Sequence, residues 1–327
     1  MKSIGFVISR KPGERRRAML PEDMKRLPQP QQFYFETGYG EVLGIADDAY
    51  RAAGVNLCSR EAALGCDIIC DVKAGDADYI RRLPPGKTIF GWAHAAQKAA
   101  FTTGAIAGRH TVIAWEEMDE MGQNIFYRNR EIAGEAGVMQ AFLYFDKMPY
   151  DCRVAVLGRG NTAKGALRVL NGLGATVDMF GRKTEKLFKK QIGRYDVVVN
   201  CVMWDITRED YLIARRDLGR MKPGAMLVDI SCDGDLAIET GRATTPENPV
   251  FTVDGIIHYA VDNTPALFPK TSSAVLSKRL PELAGCLVQQ MPHRLLQAGA
   301  IIQNGEIVQP SLRLHRQHRG ETVGPGA

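Results

Sequence analysis

From residue 153 to residue 165 the sequence is RVAVLGRGNTAKG. Residues 154–157 form a short apolar run that predicts a buried strand, and the glycines after it predict a turn that opens a helix. Gly158 allows the tight turn, Gly160 has no Cβ that would keep a phosphate from the backbone, and Ala163 lets the helix pack closely on the strand. The unpaired N–H groups at the start of a helix attract anions. The predicted dinucleotide-binding residues of this turn are Gly158, Arg159, Gly160, Asn161, Thr162 and Ala163.

The residues after the turn support this prediction. Residues 166–173 predict a helix, Gly174 ends it, and residues 176–180 predict a second strand. A strand, a glycine turn, a helix and a parallel strand are the context that the motif requires. A purely structural glycine turn is the alternative.

The end of the second strand indicates which dinucleotide is bound. NAD-specific sites place Asp or Glu there to accept the ribose 2′-hydroxyl. This chain has Gly181 followed by Arg182 and Lys183, which favour a 2′-phosphate. NADPH (or NADP+) is therefore the predicted cofactor, with both cations as cofactor-binding residues, and a solvated basic turn is the alternative.

Composition limits the class of protein. The 327 residues are 45% hydrophobic and 24% charged, as in ordinary soluble proteins of about two domains. A formal charge of +5 with scattered basic residues does not predict a nucleic-acid partner, and no apolar run is long enough for a membrane span or a signal peptide. The seven cysteines are odd in number and lack zinc spacing, so we expect no disulfide framework, no metal and a cytoplasmic location.

The order of elements predicts an α/β protein. Strands are expected within residues 2–9, 66–72, 88–91 and 111–114, with helices at 21–27, 46–53 and 95–102, and a long connecting helix at 131–147. The fingerprint domain has further strands at 197–201 and 226–230. Residues 272–298 predict helices, and the last sixty residues either stay with the cofactor domain or return to the first domain.

Polar residues follow several of these strands, and open α/β sheets bind ligands at their carboxyl edge. Lys73 follows one strand and His94 follows the next, so that a cation can polarise a carbonyl while an imidazole moves protons. Arg16 and Arg17 lie in a basic loop, and an arginine fork suits a carboxylate. The alternatives are a surface lysine, a structural histidine and a solvated arginine loop.

The fingerprint domain adds its own candidates at strand ends. Asp233 follows the strand at 226–230, and Asp262 and Asn263 lie in a later polar segment. Cys201 and Val202, at the end of the strand at 197–201, are further predicted cofactor-binding residues, as is Asp262. No G-x-S-x-G turn, zinc spacing or Walker lysine accompanies them.

Several segments together carry a family resemblance: RRAMLP at 16–21, DVK at 71–73, WAH at 92–94, the glycine fingerprint, MKPGA at 221–225 with VDISCD at 228–233, and YAVDNTP at 259–265. In this order they resemble the alanine dehydrogenase and pyridine nucleotide transhydrogenase superfamily, over residues 1–290. The Gly-Asn-Thr-Ala fingerprint and the Asp-Asn-Thr-Pro segment most resemble the N5-(carboxyethyl)ornithine synthases, which join pyruvate to the side-chain amine of ornithine with NADPH.

The resemblance implies two Rossmann-like domains with parallel sheets and an interdomain cleft. The substrate domain would comprise residues 1–132 and 268–327, and the NADP-binding domain residues 133–267. Arg16, Lys73 and Asn263 are implied to bind substrate, and Lys73, His94 and Asp233 to be catalytic. The implied enzyme is an NADP-dependent oxidoreductase acting on CH–NH groups, and family habit implies a homodimer or homotetramer.

The resemblance leaves the substrates open. Alanine dehydrogenases carry an acidic residue at the position of Gly181 and lack the carboxylate of Asp262, which disfavours free ammonia as the nitrogen donor. A saccharopine-type dehydrogenase, using 2-oxoglutarate and lysine, is the main alternative and would need a second cationic anchor such as Arg15, Arg17 or Arg128. A protein that senses the NADP redox state is another.

Overall fold

The structure is a computed structural model that describes residues 1–204, 208, 210–232, 237–321 and 323–324. The chain divides into two compact units: unit 1 comprises Met1–Phe126 and Pro269–Ala327, and unit 2 comprises Tyr127–Phe268. The sequence places the domain boundaries at 132/133 and 267/268. The predicted boundary at 132/133 lies inside a continuous helix of unit 2, Tyr127–Phe142. No glycine or proline in the sequence marks where that helix begins, so the sequence places the boundary too late. In the described residues, no helix is long and apolar enough to cross a membrane.

Unit 1 is built on an eight-stranded sheet. Its strands are β1 (Ile4–Phe6), β2 (Phe33–Glu36), β3 (Asn56–Cys58), β4 (Ile68–Cys70), β5 (Thr88–Gly91), β6 (Thr111–Ala114), β15 (Ala300–Gln303) and β16 (Glu306–Ile307). A separate hairpin consists of β7 (Asp119–Glu120) and β8 (Gln123–Asn124). The order is β16-β15-β6-β5-β4-β1-β2-β3. Strands β1 to β6 pair in parallel, and β15 pairs antiparallel with β6, so the carboxyl-terminal segment extends the sheet of unit 1.

Along the chain, the α-helices of unit 1 lie between these strands or follow them. They are α1 (Asp47–Ala52), α2 (Arg60–Gly65), α3 (Ala99–Ala107), α8 (Pro269–Ser277), α9 (Leu280–Gln289), α10 (Arg294–Gly299) and α11 (Pro310–His318). The segment predicted as a helix at 21–27 is the 3-10 helix Pro21–Arg26. The segment predicted at 95–102 begins later, at Ala99.

Unit 2 has a six-stranded sheet of order β10-β9-β11-β12-β14-β13. Its elements are α4 (Tyr127–Phe142), β9 (Arg153–Leu157), α5 (Asn161–Gly172), β10 (Thr176–Phe180), α6 (Glu185–Gln191), β11 (Val197–Asn200), α7 (Arg215–Leu218), β12 (Met226–Asp229), β13 (Val250–Val253) and β14 (Ile256–Tyr259). All pairs are parallel except the edge pair of β13 and β14. The prediction of two Rossmann-like, parallel-rich α/β domains is confirmed.

Small residues let α4 and α5 pack backbone to backbone. A Cβ on Gly134 would lie 2.0 Å from the carbonyl oxygen of Thr162, and one on Gly165 would lie 1.9 Å from that of Glu131. Real Cβ atoms do not approach so closely, so both positions require glycine. This contact fixes α5, whose first turn follows the glycine fingerprint, against a second helix of the same unit.

Candidate active site

The carboxyl ends of three neighbouring parallel strands, β4, β5 and β6, lie at one edge of the sheet in unit 1. Lys73 follows β4, His94 follows β5 and Glu116 follows β6. Two glycines bring the first two loops together, because a Cβ on Gly91 would lie 1.8 Å from the carbonyl oxygen of Asp71, and one on Gly75 would lie 1.9 Å from that of Ala93. The N–H of Gly75 also donates to the carbonyl of Trp92 over 2.9 Å. The loops that carry the predicted lysine and histidine are therefore in direct contact.

Lys73 is buried, with only 4% of its surface exposed, so the surface-lysine alternative is wrong. Its backbone N–H donates to Oδ1 of Asp71 over 2.9 Å, and the hydroxyl of Tyr79 donates to Oδ2 over 3.1 Å. Burial raises the pKa of the Asp71 carboxyl to about 6, although these hydrogen bonds act in the opposite direction. Asp71 thereby holds the backbone at Lys73 in place.

His94 is half-buried and has a φ of 42°, in the left-handed region. Its N–H donates to Oε1 of Glu116 over 2.5 Å, and the N–H of Ala93 donates to Oε2 over 3.2 Å. Burial raises the pKa of the Glu116 carboxyl to about 7, against the effect of these two N–H groups. Glu116 was not among the predicted site residues. The signal that could have found it is its position after β6, which matches that of His94 after β5.

Arg16 and Arg17 are buried, which overturns the alternative of a solvated loop. The Arg16 guanidinium donates to both oxygens of Glu14, from Nε over 2.9 Å and from Nη2 over 2.6 Å. It also lies 4.7 Å from the centre of the Trp92 ring, two residues before His94. Arg17 instead donates to the backbone carbonyls of Tyr39 and Arg16 and stabilises its own loop. Arg16, not Arg17, therefore belongs with the edge residues.

The fingerprint of unit 2 forms the predicted strand, turn and helix. Gly158 has a φ of 111°, and its N–H donates to the carbonyl of Phe180 over 2.8 Å. A Cβ on Gly158 would lie 3.1 Å from the carbonyl oxygen of Cys201, so Cys201 lies against the turn. Gly160 precedes the first residue of α5, and a Cβ there would meet no atom within 4 Å. The turn leaves open space beside unpaired N–H groups of the first helical turn.

The end of β10 carries positive charge. Arg182 and Lys183 are exposed in a short 3-10 helix that begins after Gly181. Arg159 belongs with them, because its Nε lies 3.4 Å from the position that a Cβ on Gly181 would occupy. The fingerprint and the strand end thus place Arg159 beside the two predicted cations.

Other predicted residues of unit 2 lie at the ends of β11 and β14. The Asn200 amide donates to Oδ1 of Asp229 over 2.9 Å, and the N–H of Val202 donates back to Oδ1 of Asn200 over 3.1 Å, so the loop of Cys201 and Val202 is fixed at its strand end. Burial raises the pKa of the Cys201 thiol, which therefore stays protonated. Asp262 and Asn263 follow β14 and are half-buried, and Asn263 has a φ of 70°. The third remaining predicted residue, Asp233, lies outside the described residues.

Models of a known family match most of the chain. The alanine dehydrogenase/PNT N-terminal domain matches residues 7–127, and the C-terminal domain of that family matches residues 181–311. An N(5)-(carboxyethyl)ornithine synthase of Lactococcus lactis subsp. lactis (strain IL1403) is 30% identical, over 85% of this chain and 94% of that protein. The chain belongs to the alanine dehydrogenase/PNT family. The resemblance seen in the sequence is confirmed.

Other members of the family agree. An N(5)-(carboxyethyl)ornithine synthase of Clostridium botulinum is 29% identical, over 84% of this chain and 91% of that protein. An alanine dehydrogenase of Halomonas elongata is 28% identical, over 73% and 74%. A solved L-alanine dehydrogenase has the same fold, with a TM-score of 0.84, 21% identity and coverage of 97% of this chain and 99% of that one.

Members of this family bind nicotinamide nucleotides, and the protein is an NAD(P)-dependent oxidoreductase acting on CH–NH bonds. The residues of unit 2 fit such a nucleotide. Gly158 makes the turn, Gly160 leaves space for a phosphate at the start of α5, and the sequence at the end of β10, residues 180–184, contains Arg182 and Lys183 but no Asp or Glu. Among the described residues, no group of three His, Cys, Asp or Glu side chains is arranged to hold a metal ion.

Proposed function

We propose that the protein catalyses the NADPH-dependent reductive condensation of pyruvate with the side-chain amine of L-ornithine, or of L-lysine, to give an N-(1-carboxyethyl) amino acid. The observation that carries the proposal is the contact between the loops of Lys73 and His94 at the carboxyl ends of neighbouring strands. Relatives that are 29–30% identical are named N(5)-(carboxyethyl)ornithine synthases, which supports the choice of substrates.

The choice of NADPH has its own support in unit 2. Arg159, Arg182 and Lys183 supply three cations around Gly181, where an NAD-specific site would place a carboxylate. Phosphate is a dianion near neutral pH, and guanidinium groups bind it through two parallel hydrogen bonds. The lack of a carboxylate at position 181 and the presence of these cations both favour a cofactor that carries a 2′-phosphate.

In unit 1, the proposal assigns Arg16 to the carboxylate of the keto acid and Lys73 to its ketone oxygen. The buried ammonium of Lys73 polarises the C=O bond, because a charge acts more strongly in a site with little water. The Glu14 carboxylate fixes the plane of the Arg16 guanidinium through two hydrogen bonds. A neutral amine then attacks the ketone carbon and forms a carbinolamine.

His94 is assigned the proton transfers. It gives a proton to the carbinolamine hydroxyl, which leaves as water, and a carbon–nitrogen double bond remains. The nicotinamide, when bound, supplies the hydride that reduces this bond. Asp233, which the resemblance implies to lie by the nicotinamide, is assigned to stabilise the positive charge of the protonated carbon–nitrogen double bond. The attacking amine must be neutral, and a lysine-like amine has a pKa of about 10, so activity should rise with pH through the neutral range.

The test is NADPH oxidation, followed at the absorbance of the reduced nicotinamide, with pairs of keto acid and amine. Oxidation that requires both pyruvate and ornithine or lysine supports the proposal, and the N-(1-carboxyethyl) product is identified by mass spectrometry. Oxidation with pyruvate and ammonia alone, or only with 2-oxoglutarate and lysine, would instead assign an alanine dehydrogenase or a saccharopine-type enzyme. NADH in place of NADPH is the matched control for the cofactor.

A further inference from the structure

The backbone of His94 has an unfavourable conformation. Its φ of 42° lies in the left-handed region, which costs a residue with a Cβ roughly 1–2 kcal/mol. Such conformations persist where neighbouring groups hold them, and they are concentrated at functional sites.

Glu116 makes the hydrogen bonds that fix this turn. One carboxylate oxygen accepts from the N–H of His94 and the other from the N–H of Ala93, over 2.5 and 3.2 Å. Two successive N–H groups can point at the same carboxylate only when the backbone between them is turned. The carbonyl of Ala93 also packs on Gly75, where no Cβ could be accommodated.

Glu116 is itself fixed. It lies in the 3-10 helix Trp115–Glu117, directly after β6. The amide of Asn124 lies within hydrogen-bond distance of the carbonyls of Trp115 and Glu116, at 3.0 and 3.1 Å, and Asn124 is buried. The carboxylate is therefore presented from a rigid element of the sheet edge.

We propose that Glu116 is a positioning residue, which holds the backbone of His94 in the left-handed conformation and thereby aims the imidazole at the reacting atoms. This inference rests on the proposed function for the role of His94, while the hydrogen bonds can be tested without it. Glu116 makes no proton transfer in this scheme and acts only through His94.

The variant that tests this is Glu116→Gln. The amide has nearly the shape of the carboxylate, but its NH2 group would face one of the two N–H donors, so at least one hydrogen bond is lost. Glu117→Gln is the matched control, because it removes the same charge from the same 3-10 helix, and Glu117 has no hydrogen bond to residues 93 or 94 in the part of the chain described.

The first measurement is amide hydrogen exchange in peptides that cover residues 90–97, on the whole protein in its native state. Loss of a buried hydrogen bond should speed exchange of the Ala93 or His94 amide by roughly 10-fold in Glu116→Gln and leave Glu117→Gln unchanged. Unchanged exchange in Glu116→Gln would overturn the proposal. This result does not depend on any substrate.

The second measurement is a double-mutant cycle with His94→Ala. Glu116→Gln alone should lower kcat by roughly 10-fold or more, with the KM for pyruvate changed little, because binding by Arg16 and Lys73 is retained. In the His94→Ala background the same substitution should have no further effect on kcat. Losses that multiply would show that Glu116 acts independently of His94, and the positioning role would be wrong.

The two measurements separate this inference from the proposed function. If the wild-type protein oxidises NADPH with no pair of keto acid and amine, the proposed function fails. The exchange data alone then support or overturn the hydrogen bonds by which Glu116 holds the backbone of His94. A lower melting temperature with unchanged kcat and unchanged exchange would identify Glu116 as a structural residue only.

Discussion

Gly91, the last residue of β5, lies against the backbone of Asp71, the first residue after β4. A Cβ at position 91 would lie 1.8 Å from the Asp71 carbonyl oxygen, and the Asp71 N–H donates to the carbonyl of Phe90 over 3.1 Å. The two strands therefore stay in contact past the end of their regular pairing. This contact carries the loops of Lys73 and His94 towards each other.

Substitution of Gly91 by alanine should separate these two loops. The methyl group would overlap a backbone oxygen that has no room to move, and we expect a loss of stability of about 3 kcal/mol together with a large loss of kcat. Urea unfolding measures the first effect. Gly65→Ala in α2 is the control, because a Cβ there meets no atom within 4 Å. A Gly91→Ala protein as stable as the Gly65→Ala protein would contradict this packing.

Cofactor preference should depend on Gly181. Its φ of −133° is accessible to any residue, so Gly181→Asp adds a carboxylate without backbone strain, next to Arg159. We expect the ratio of kcat/KM for NADPH to that for NADH to fall by roughly 10-fold or more, because the carboxylate repels the 2′-phosphate and accepts a ribose hydroxyl. Kd values from nicotinamide fluorescence should shift in the same sense. Gly181→Asn, of equal shape without the charge, should shift them less, and equal shifts would rule out the electrostatic cause.

Sequence reasoning located the elements that have strong local signals. The bounds of β10 were predicted to the residue and those of β9 to within one residue, because each is a compact run that a glycine ends. Eight strands of the described structure, none longer than four residues, were missed: β2, β3, β7, β8, β13, β14, β15 and β16. The strand conformation of such short segments depends on pairing with neighbouring strands.

The site was predictable where a residue follows a strand and unpredictable where burial decides its role. Lys73 and His94 are candidates because each follows a strand, and the family resemblance then implies their roles. The burial of Arg16 could not, because a buried guanidinium is stable only with a partner, and its pairing with Glu14 and Trp92 appears only in the folded chain. Glu116 was missed because carboxylates are common on protein surfaces.

Removal of the His94 imidazole should impair chemistry more than binding. We expect His94→Ala to lower kcat by roughly 10² to 10⁴, because proton transfer to the departing hydroxyl is lost, while NADPH still binds with an affinity near that of the wild type. Stopped-flow NADPH oxidation and equilibrium fluorescence measure the two effects. His318→Ala, at the end of α11, is the control for loss of a histidine. A turnover near that of the wild type would remove His94 from the mechanism.

Asp196, directly before β11, should make the stability of the protein depend on pH in the acidic range. Burial would raise the pKa of this carboxyl, but the N–H of Arg153 and the ammonium groups of Lys222 and Lys147 outweigh it and lower the pKa to about 2. A lowered pKa in the folded state means stabilisation that is present above the unfolded pKa of about 3.8 and lost as pH falls through about 2. Asp196→Asn should therefore cost about 2 kcal/mol at pH 6. Its stability should approach that of the wild type as the pH falls from 4 towards 2, measured by urea unfolding at each pH. Asp146 is an exposed neighbour of Lys147, so Asp146→Asn is the control for the change in net charge. If the stability difference between Asp196→Asn and the wild type stays constant from pH 6 to pH 2, the charge of the Asp196 carboxylate does not stabilise this end of the sheet.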